Sequence, residues 1–554
     1  MSLALVHTRA RCGVRAPEVR VEVFMTGGLP QVTIAGLAGT VARESRERIR
    51  AALQASQFEL PSKRVTVNVA PAELPKEGAR FDLPMAVGLL AAAGQIPNEA
   101  LRDVELLGEL SLSGALRGIS GALPAAIAAG EAGRTLIVPD ENAADAAYAR
   151  GTVVIGARTL AQVVAHLRGE RALAPTRSPA HGGLSPDADS TRAEASDDAA
   201  VRGGDYADLA NVVGQALGKR ALEVAAAGMH GLRFTGPPGC GKTLLARCLP
   251  GLMPPLTDPE ALELAVIRSL AAPLREAGGW PTSRPFRAPL HGASAVALVG
   301  GGGIPRPGEL SLAHHGVLFL DELPEWSRGT LEALREPLES GDVQIARAAM
   351  QATFPARPLL VTAMNPCPCG WAGDPSGRCD CPSDAIARYQ SRVSGPLLDR
   401  IDLHVALARV PAVALMKATS GASESSAAVR ARVVAARDRQ QSRQGKPNAH
   451  LAPGELDQVI AATPAARLLL ERAAERLMLS ARAVHRVLRV ARTLADLGGE
   501  ATVDTPPMAE AIGFRAPAYD ARGPVDGSPT AARATLQAPR PEEPTSAHGV
   551  AGTH

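Results

Sequence analysis

Apolar and polar positions change period along the chain, and each change marks a region. Near the start, the alternation Arg64-Val-Thr-Val-Asn-Val69 predicts a strand, and the short run Thr135-Leu-Ile-Val138 predicts a buried one. Phe81 to Ala93 and Leu123 to Glu131 read as helices. In the centre, short apolar runs alternate with helical stretches, Leu232 to Thr235 followed by Thr243 to Leu249 being one such pair. That order predicts a mostly parallel sheet covered by helices. From about Ala427 to Phe514, Ala, Leu and Arg recur at helical spacing, and an all-α bundle is expected.

Two stretches lack the apolar residues needed to offset their ordering entropy. One runs from about Ala174 to Gly204 and the other from about Pro517 to His554. They suggest five parts: an N-terminal domain over 1–170, a disordered linker over 171–204, a P-loop core over 205–415, a helical domain over 416–515 and a disordered tail over 516–554. The length of 554 residues is too great for one core and agrees with several domains. Aromatic residues are only 3% of the chain, so its cores must be built from Ala, Leu and Val. A net charge of +3 leaves any contact with nucleic acid to local clusters. No apolar run is long enough for a membrane span, and the first residues do not make a secretory signal. With the cysteines clustered, a cytoplasmic location is expected.

The strongest chemical signal is Gly236-Pro237-Pro238-Gly239-Cys240-Gly241-Lys242-Thr243, between a strand and a helix. Its glycines let backbone N–H groups turn toward phosphate oxygens, and the helix N-terminus adds a favourable dipole. Lys242 would reach the β- and γ-phosphates, and the Thr243 hydroxyl would ligate Mg²⁺. About 80 residues later, Gly316-Val-Leu-Phe-Leu-Asp321-Glu322 is an apolar strand ending in two carboxylates. Asp321 is expected to hold Mg²⁺ and Glu322 to polarise the attacking water. A third strand, Leu359 to Met364, ends at Asn365, which would orient that water. Arg482, Arg486 and Arg489 share a helix face at i, i+4 and i+7. An arginine facing a γ-phosphate stabilises transition-state charge; Arg482 is the first candidate and Arg486 the alternative.

Cys367-Pro-Cys369 and Cys379-Asp-Cys381 are two C-x-C pairs in a Gly/Asp/Pro-rich loop. Four thiolates suit tetrahedral Zn²⁺; a redox dithiol pair and unliganded thiols are the other readings. Arg284, Arg287, His291 and Arg306 flank the Gly-rich run 300–303 and are candidates for gripping a phosphate backbone, against plain loop packing. Gly341 to Phe354 reads as a hairpin with Arg347 near its tip, a second candidate. Arg43, Arg46 and Arg50 share a face with Glu44 and Glu47 nearby, which favours a solvated surface.

GPPGCGKT, GVLFLDELPEW, AMNPCPCG, SGPLLDRIDLH and LSARAVHRVLRVARTLADL together resemble the ComM/YifB family of magnesium-chelatase-like AAA+ ATPases. The resemblance spans about residues 1 to 515. It implies an α/β AAA+ core with an all-α C-terminal lid, ATP and Mg²⁺ as cofactors, and a homo-oligomeric ring, expected to be a hexamer. Within Pro396-Leu-Leu-Asp-Arg400-Ile-Asp402 it implies an arginine finger at Arg400, reaching a neighbouring subunit. Members are linked to natural transformation and act as DNA branch-migration helicases, so single-stranded or branched DNA, read without sequence specificity, is the expected partner. A magnesium-chelatase-like metal-insertion motor and an ATP-switched scaffold are the alternatives. Pro75-Lys-Glu-Gly-Ala-Arg80 and Gly108 to Gly114 resemble the α+β, S5-like proteolytic domain of Lon. Arg80 stands where the nucleophilic serine would be, and Ser120-Gly-Ala-Leu-Pro124 lacks the lysine base, so Ser–Lys hydrolysis is not expected.

Overall fold

The computed structural model describes residues 2–60, 62–74, 76, 79–177, 206–274, 279–347, 350–417 and 424–515. The predicted linker, apart from residues 171–177, and the predicted tail lie outside the described residues, as do Pro75, Glu77 and Gly78 of the Lon-like motif. The chain divides into two compact units. One comprises 1–207 with 255–361, the other 208–254 with 362–554.

The first unit carries a seven-stranded mixed sheet. Its order is Gln31–Ala35, Arg64–Ala70, Glu18–Thr26, Ser2–Arg9, Val104–Leu106, Thr135–Pro139, Val154–Ala157. Ser2–Arg9 and Glu18–Thr26 are antiparallel with Val6 opposite Val21, and Val21 also stands opposite Val69 on Arg64–Ala70. Strict alternation places Val19, Val21, Val23 and Met25 in the core. The expected strands at 64–69 and 135–138 are present, as are the two expected helices, now bounded as Asp82–Ala92 and Ala122–Glu131. Asp82–Ala92 is buried on every side, which explains its lack of a polar face. It can sit so close because of Gly88, where a Cβ would come within 2.7 Å of Val23 Cγ2. Two buried carboxylates of this domain are paired with arginines: Glu105 with Arg9 through two bonds of 2.7 and 2.6 Å, and Asp82 with the partly buried Arg48 at 2.8 Å.

The same unit contains the helix Asp258–Ala271, started by a Thr257/Glu260 capping box. Its strand Val317–Leu320 lies parallel to Phe286–Arg287. Residues 359–361 of Leu359–Met364 continue beside it, with Leu359 N–H donating to the Gly316 carbonyl at 2.8 Å. Asp342–Arg347 and Met350–Pro355 form the expected hairpin, with Val343 opposite Phe354. Its tip, 348–349, lies outside the described residues.

In the second unit, Leu232–Thr235 is parallel to Leu403–Ala406, and residues 362–364 lie on its other side. The C-terminal helices Ser426–Gln444, Pro464–Arg476, Ala481–Gly498 and Thr505–Gly513 form the expected all-α region. They are fastened to the helix Ala216–Gly228 by charge as well as by apolar contact. Glu223 accepts from Arg220 at 2.8 Å and from Arg432 at 2.7 Å, and Arg220 also pairs with Glu510.

His404 makes this unit sensitive to acid. Its imidazole is pulled down to about 2, first by burial and then by the flanking guanidinium charges of Arg233 and Arg515. It stays neutral and lies 3.3 Å from Arg515 Nη1, which can donate to it. A depressed histidine pKa means that the unfolded chain binds the extra proton. Its stabilising contribution is full above about pH 6.5 and is lost as the pH falls below that, at up to about 1.4 kcal/mol per pH unit. Denaturant titrations at pH 7.5, 6.5 and 5.5 should show this loss in the wild type and a flatter profile in His404→Gln.

Candidate nucleotide site

The loop 236–241 leaves Leu232–Thr235 and enters the helix Lys242–Leu252. Gly239 and Gly241 adopt φ of +75° and +94°, a left-handed backbone open to glycine without strain. No atom outside the neighbouring residues lies within 4 Å of a Cβ built at either position. Such alternation leaves a concave backbone whose N–H groups can face an anion, at a helix N-terminus with no side-chain cap. The other end of the loop is tight: a Cβ on Gly236 would meet the Leu407 carbonyl at 2.6 Å and Cys240 Sγ at 2.9 Å. Cys240 is buried there, and burial raises its thiol pKa, so it is a packing residue rather than a reactive one.

Lys242 Nζ donates to the carbonyls of Gly236 at 2.7 Å and Pro237 at 3.1 Å, and to Asn365 Oδ1 at 3.0 Å. Two residues 123 positions apart, singled out separately in the sequence, therefore meet. Asn365 follows Leu359–Met364, whose last carbonyl accepts from Gly236 N–H at 3.3 Å. Gln215 was missed in the sequence. In a left-handed conformation, it donates to the carbonyls of Cys240 at 2.8 Å and Ala408 at 2.7 Å, tying the loop to the chain after Leu403–Ala406. A lone glutamine before a helix carries no pattern that would have revealed it.

In the first unit, Val317–Leu320 is wholly buried and delivers Asp321 and Glu322 at its end. Glu322 N–H donates to Asp321 Oδ1 at 2.9 Å, and Trp326 Nε1 donates to the Asp321 carbonyl at 2.9 Å. Glu322 has φ +49°, a conformation that costs a non-glycine residue of order 1 kcal/mol and collects at functional sites. His291 Nδ1 lies 3.5 Å from Glu322 Oε2, and both side chains are about half exposed. His291 thus faces the carboxylate proposed to act on water.

The other basic candidates in this unit separate into two groups. Arg284 is buried and bonded to Glu260, to the His315 carbonyl at 2.7 Å and to the Pro255 carbonyl at 3.1 Å. Arg287 makes two bonds to Glu309, at 2.6 and 2.7 Å. These two hold the loop together, while Arg306 is exposed. Arg43, Arg46 and Arg50 lie on an exposed helix face, with Arg46 against Glu47 at 3.3 Å.

Arg400 follows the short helix Gly395–Leu398, and its Nη1 donates to the Pro396 carbonyl at 2.8 Å. Arg482 is exposed in the first turn of Ala481–Gly498, a helix capped by Ser480. Arg486, one turn later, is committed elsewhere. Its Nη1 donates to the Arg400 carbonyl at 2.9 Å and bonds to the buried carboxylate of Asp402. Asp402 also meets His230 Nδ1 at 2.9 Å, and His230 Nε2 meets Thr493 Oγ1 at 2.7 Å. One buried polar chain therefore runs from His230, two residues before Leu232–Thr235, through the Arg400 segment to two turns of the helix Ala481–Gly498. The sequence singled out Arg486 but not its partners.

The four cysteines do converge. Cys367 is buried, and its Sγ lies 3.3 Å from that of Cys369 and 3.7 Å from that of Cys379; Cys369 and Cys379 are 3.6 Å apart. All four Sγ atoms lie within 4.8 Å of one another. Thiolates at about 2.3 Å from a tetrahedral Zn²⁺ stand about 3.8 Å apart, so the group fits the ion. Ala372 N–H points to Cys367 Sγ at 3.2 Å, a donor suited to a thiolate. At Gly370 this loop lies against the phosphate loop: a Cβ there would come within 2.7 Å of Pro238 Cδ.

A phosphate-cradling loop, its lysine held on a strand-end asparagine, and a C-terminal helical region define a P-loop nucleotide-binding protein. Three family descriptions match in series: "Subunit ChlI of Mg-chelatase" over residues 21–142, "Magnesium chelatase, subunit ChlI" over 208–415, and "Magnesium chelatase, subunit ChlI C-terminal" over 423–515. The chain is 46% identical over 518 residues to the competence protein ComM of Haemophilus influenzae, covering 93% of this chain and 98% of that one. It is 45% identical over 516 residues to YifB of Escherichia coli, covering 93% and 97%. A shorter match, 30% identical over 186 residues and 28% of each chain, is to the magnesium-chelatase 67 kDa subunit of Heliobacterium mobile. The chain belongs to the ComM/YifB family of magnesium-chelatase-like AAA+ ATPases. Among the described residues no helix is long and apolar enough to cross a membrane.

Proposed function

We propose that the protein is an ATP-driven motor that works on DNA as a ring of its own copies, a hexamer, and moves branched junctions during integration of incoming DNA. The observation that carries the ATPase part is the Lys242 ammonium, held on Gly236, Pro237 and Asn365 inside an open backbone cradle. Three acceptors keep the lysine extended over the loop, so arriving phosphate oxygens exchange with bonds already aimed at that position. In this reading Thr243 and Asp321 hold Mg²⁺, which supplies charge neutralisation on the phosphates when bound. Glu322 polarises the attacking water, with His291 beside it to orient the carboxylate. Asn365 orients that water once Lys242 has turned to phosphate. Arg400 and Arg482 act on transition-state charge, Arg400 across a subunit boundary. The DNA part rests on the family resemblance and on full-length similarity to a competence protein. The N-terminal domain is read as Lon-like without the protease dyad, and the location as cytoplasmic.

The test is the ATPase rate of the purified protein with no DNA and with single-stranded, duplex and four-way-junction DNA. Stimulation by several-fold, greatest with single strands or junctions, is expected. An equal rate in all conditions would remove DNA as the working partner and favour the metal-insertion reading. The cysteine cluster is proposed to bind Zn²⁺ as a strut behind Pro238. One zinc per chain is expected by elemental analysis, falling to none in Cys367→Ser; metal-free protein with full activity would end that assignment.

A further inference from the structure

Between Ser2–Arg9 and Glu18–Thr26 the chain turns over 10–17. The turn is held by Ala10 N–H on the Pro17 carbonyl at 3.0 Å, Cys12 N–H on the Arg15 carbonyl at 2.9 Å and Arg15 N–H on the Cys12 carbonyl at 3.0 Å. Its tip lies on the second strand of the hairpin Asp342–Arg347/Met350–Pro355. Cys12 Sγ donates to the Gln351 carbonyl at 3.3 Å. Gly13 is buried at φ +59°, and a Cβ built there would stand 2.7 Å from Thr353 O, 3.1 Å from Thr353 N and 3.5 Å from Ala352 Cβ. Glycine alone combines that backbone with so close an approach.

The contact falls on the weak side of the hairpin. Among the described residues the hairpin is a sheet of two strands, so the outer edge of Met350–Pro355 has no strand beside it. Such an edge leaves N–H and C=O groups unpaired, and a two-stranded ribbon holds its place poorly by itself. The turn covers the edge at Gln351 and Thr353. On the other strand, Ile345 Cδ1 lies 3.1 Å from a Cβ built on Gly300, so the Gly-rich run 300–303 begins against the same hairpin. The N-terminal domain can hold the hairpin because it is fastened elsewhere to the same unit. Asp145 accepts from Leu274 N–H at 2.8 Å, with both residues buried. Tyr148 and Trp280 stack with ring centroids 4.9 Å apart, and Leu270 Cδ2 lies 3.3 Å from a Cβ built on Gly121. The pair Arg150–Asp258, at 2.9 Å, is exposed and adds little. The turn therefore meets the hairpin as the end of a fastened domain rather than as a free loop.

We propose that the N-terminal domain is the mount of the 342–355 hairpin, and that Cys12 and Gly13 are positioning residues that set where the hairpin stands when it meets DNA. The hairpin's work on DNA rests on the motor reading above; its mounting does not. Neither residue belongs to the nucleotide site, so ATP turnover without DNA is expected to be independent of them.

The experiment compares Gly13→Ala with Gly133→Ala in the full chain. Gly133 lies in the same domain at φ +69°, and nothing stands within 4 Å of a Cβ built there. Both substitutions strain a left-handed backbone, and only the first pushes on the hairpin. Amide hydrogen exchange of the hairpin strands should rise about tenfold in Gly13→Ala and keep the wild-type rate in Gly133→Ala. Turnover without DNA should stay within about twofold of wild type, while stimulation by single-stranded or junction DNA falls about fivefold. Cys12→Ala, which removes the sulfur donor and adds no atom, should move both readouts the same way by less, and serves if Gly13→Ala does not fold. Equal exchange in the two glycine variants, or faster exchange with an unchanged response to DNA, would overturn the proposal. If no DNA stimulates the wild type, the motor reading fails, and hydrogen exchange alone decides the mounting.

Discussion

Lys242→Ala is expected to lower ATP turnover by at least about 10²–10³-fold, the scale of losing one preorganised charged donor at a reacting phosphate. The lysine sits on two loop carbonyls and Asn365, so the loop already carries the geometry that receives phosphate. Removing the ammonium removes a charge from the β- and γ-phosphates and also frees Asn365 from its partner. Nucleotide affinity should fall as well, because the bond is made in ground and transition states alike. Asn365→Ala separates the two contributions. It leaves Lys242 on its carbonyls, so binding should stay within a few-fold while turnover falls. Phosphate-release kinetics paired with titration of a fluorescent ATP analogue read both quantities. Wild-type turnover in Lys242→Ala would remove the loop from the chemistry.

Asp402→Ala is expected to destabilise the second unit by about 3–5 kcal/mol, the usual result of taking one partner from a buried ion pair. Asp402 is 3% exposed and holds His230 at 2.9 Å and the Arg486 guanidinium. Burial raises its carboxyl pKa, but the His230 bond and the Arg486 charge outweigh burial and keep it below the usual carboxylate range. A depressed acid pKa stabilises the fold above the unfolded value of about 3.9 and loses that contribution as the pH falls below it. Wild-type protein should therefore lose stability steeply below about pH 4, and Asp402→Asn should lack that part of the acid limb. Because Arg486 also holds the Arg400 carbonyl, the variant should slow ATP turnover under conditions where it is fully folded. Denaturant unfolding at pH 7 and pH 3.5, with turnover measured below the transition, tests both. Unchanged stability at pH 7 would show that the pair is not formed.

The apolar patterns were sufficient for several strands and helices, because their alternation or helical spacing is local. Arg64–Ala70 and Asp82–Ala92 were legible for that reason. The phosphate loop was legible because a contiguous run of glycines, lysine and threonine carries its chemistry in its own backbone. The cysteine cluster was legible in part: two C-x-C pairs indicated convergence, and only the fold brought the sulfurs to 3.3–3.7 Å.

What the sequence by itself determined about this protein is its family, its phosphate loop and the residues able to bind metal. Tertiary structure decided which charged residues are available. Arg284 and Arg287, candidates for gripping a phosphate backbone in the sequence, are held by Glu260 and Glu309. Arg486, an alternative to Arg482, is taken by Asp402. Arg80 is buried, and its Nε and Nη2 find no hydrogen-bond partner among the described residues. The reason is physical. A guanidinium reads the same in sequence whether it is paired or exposed, and its chemistry is fixed only by which distant carboxylate, carbonyl or cation the fold places beside it.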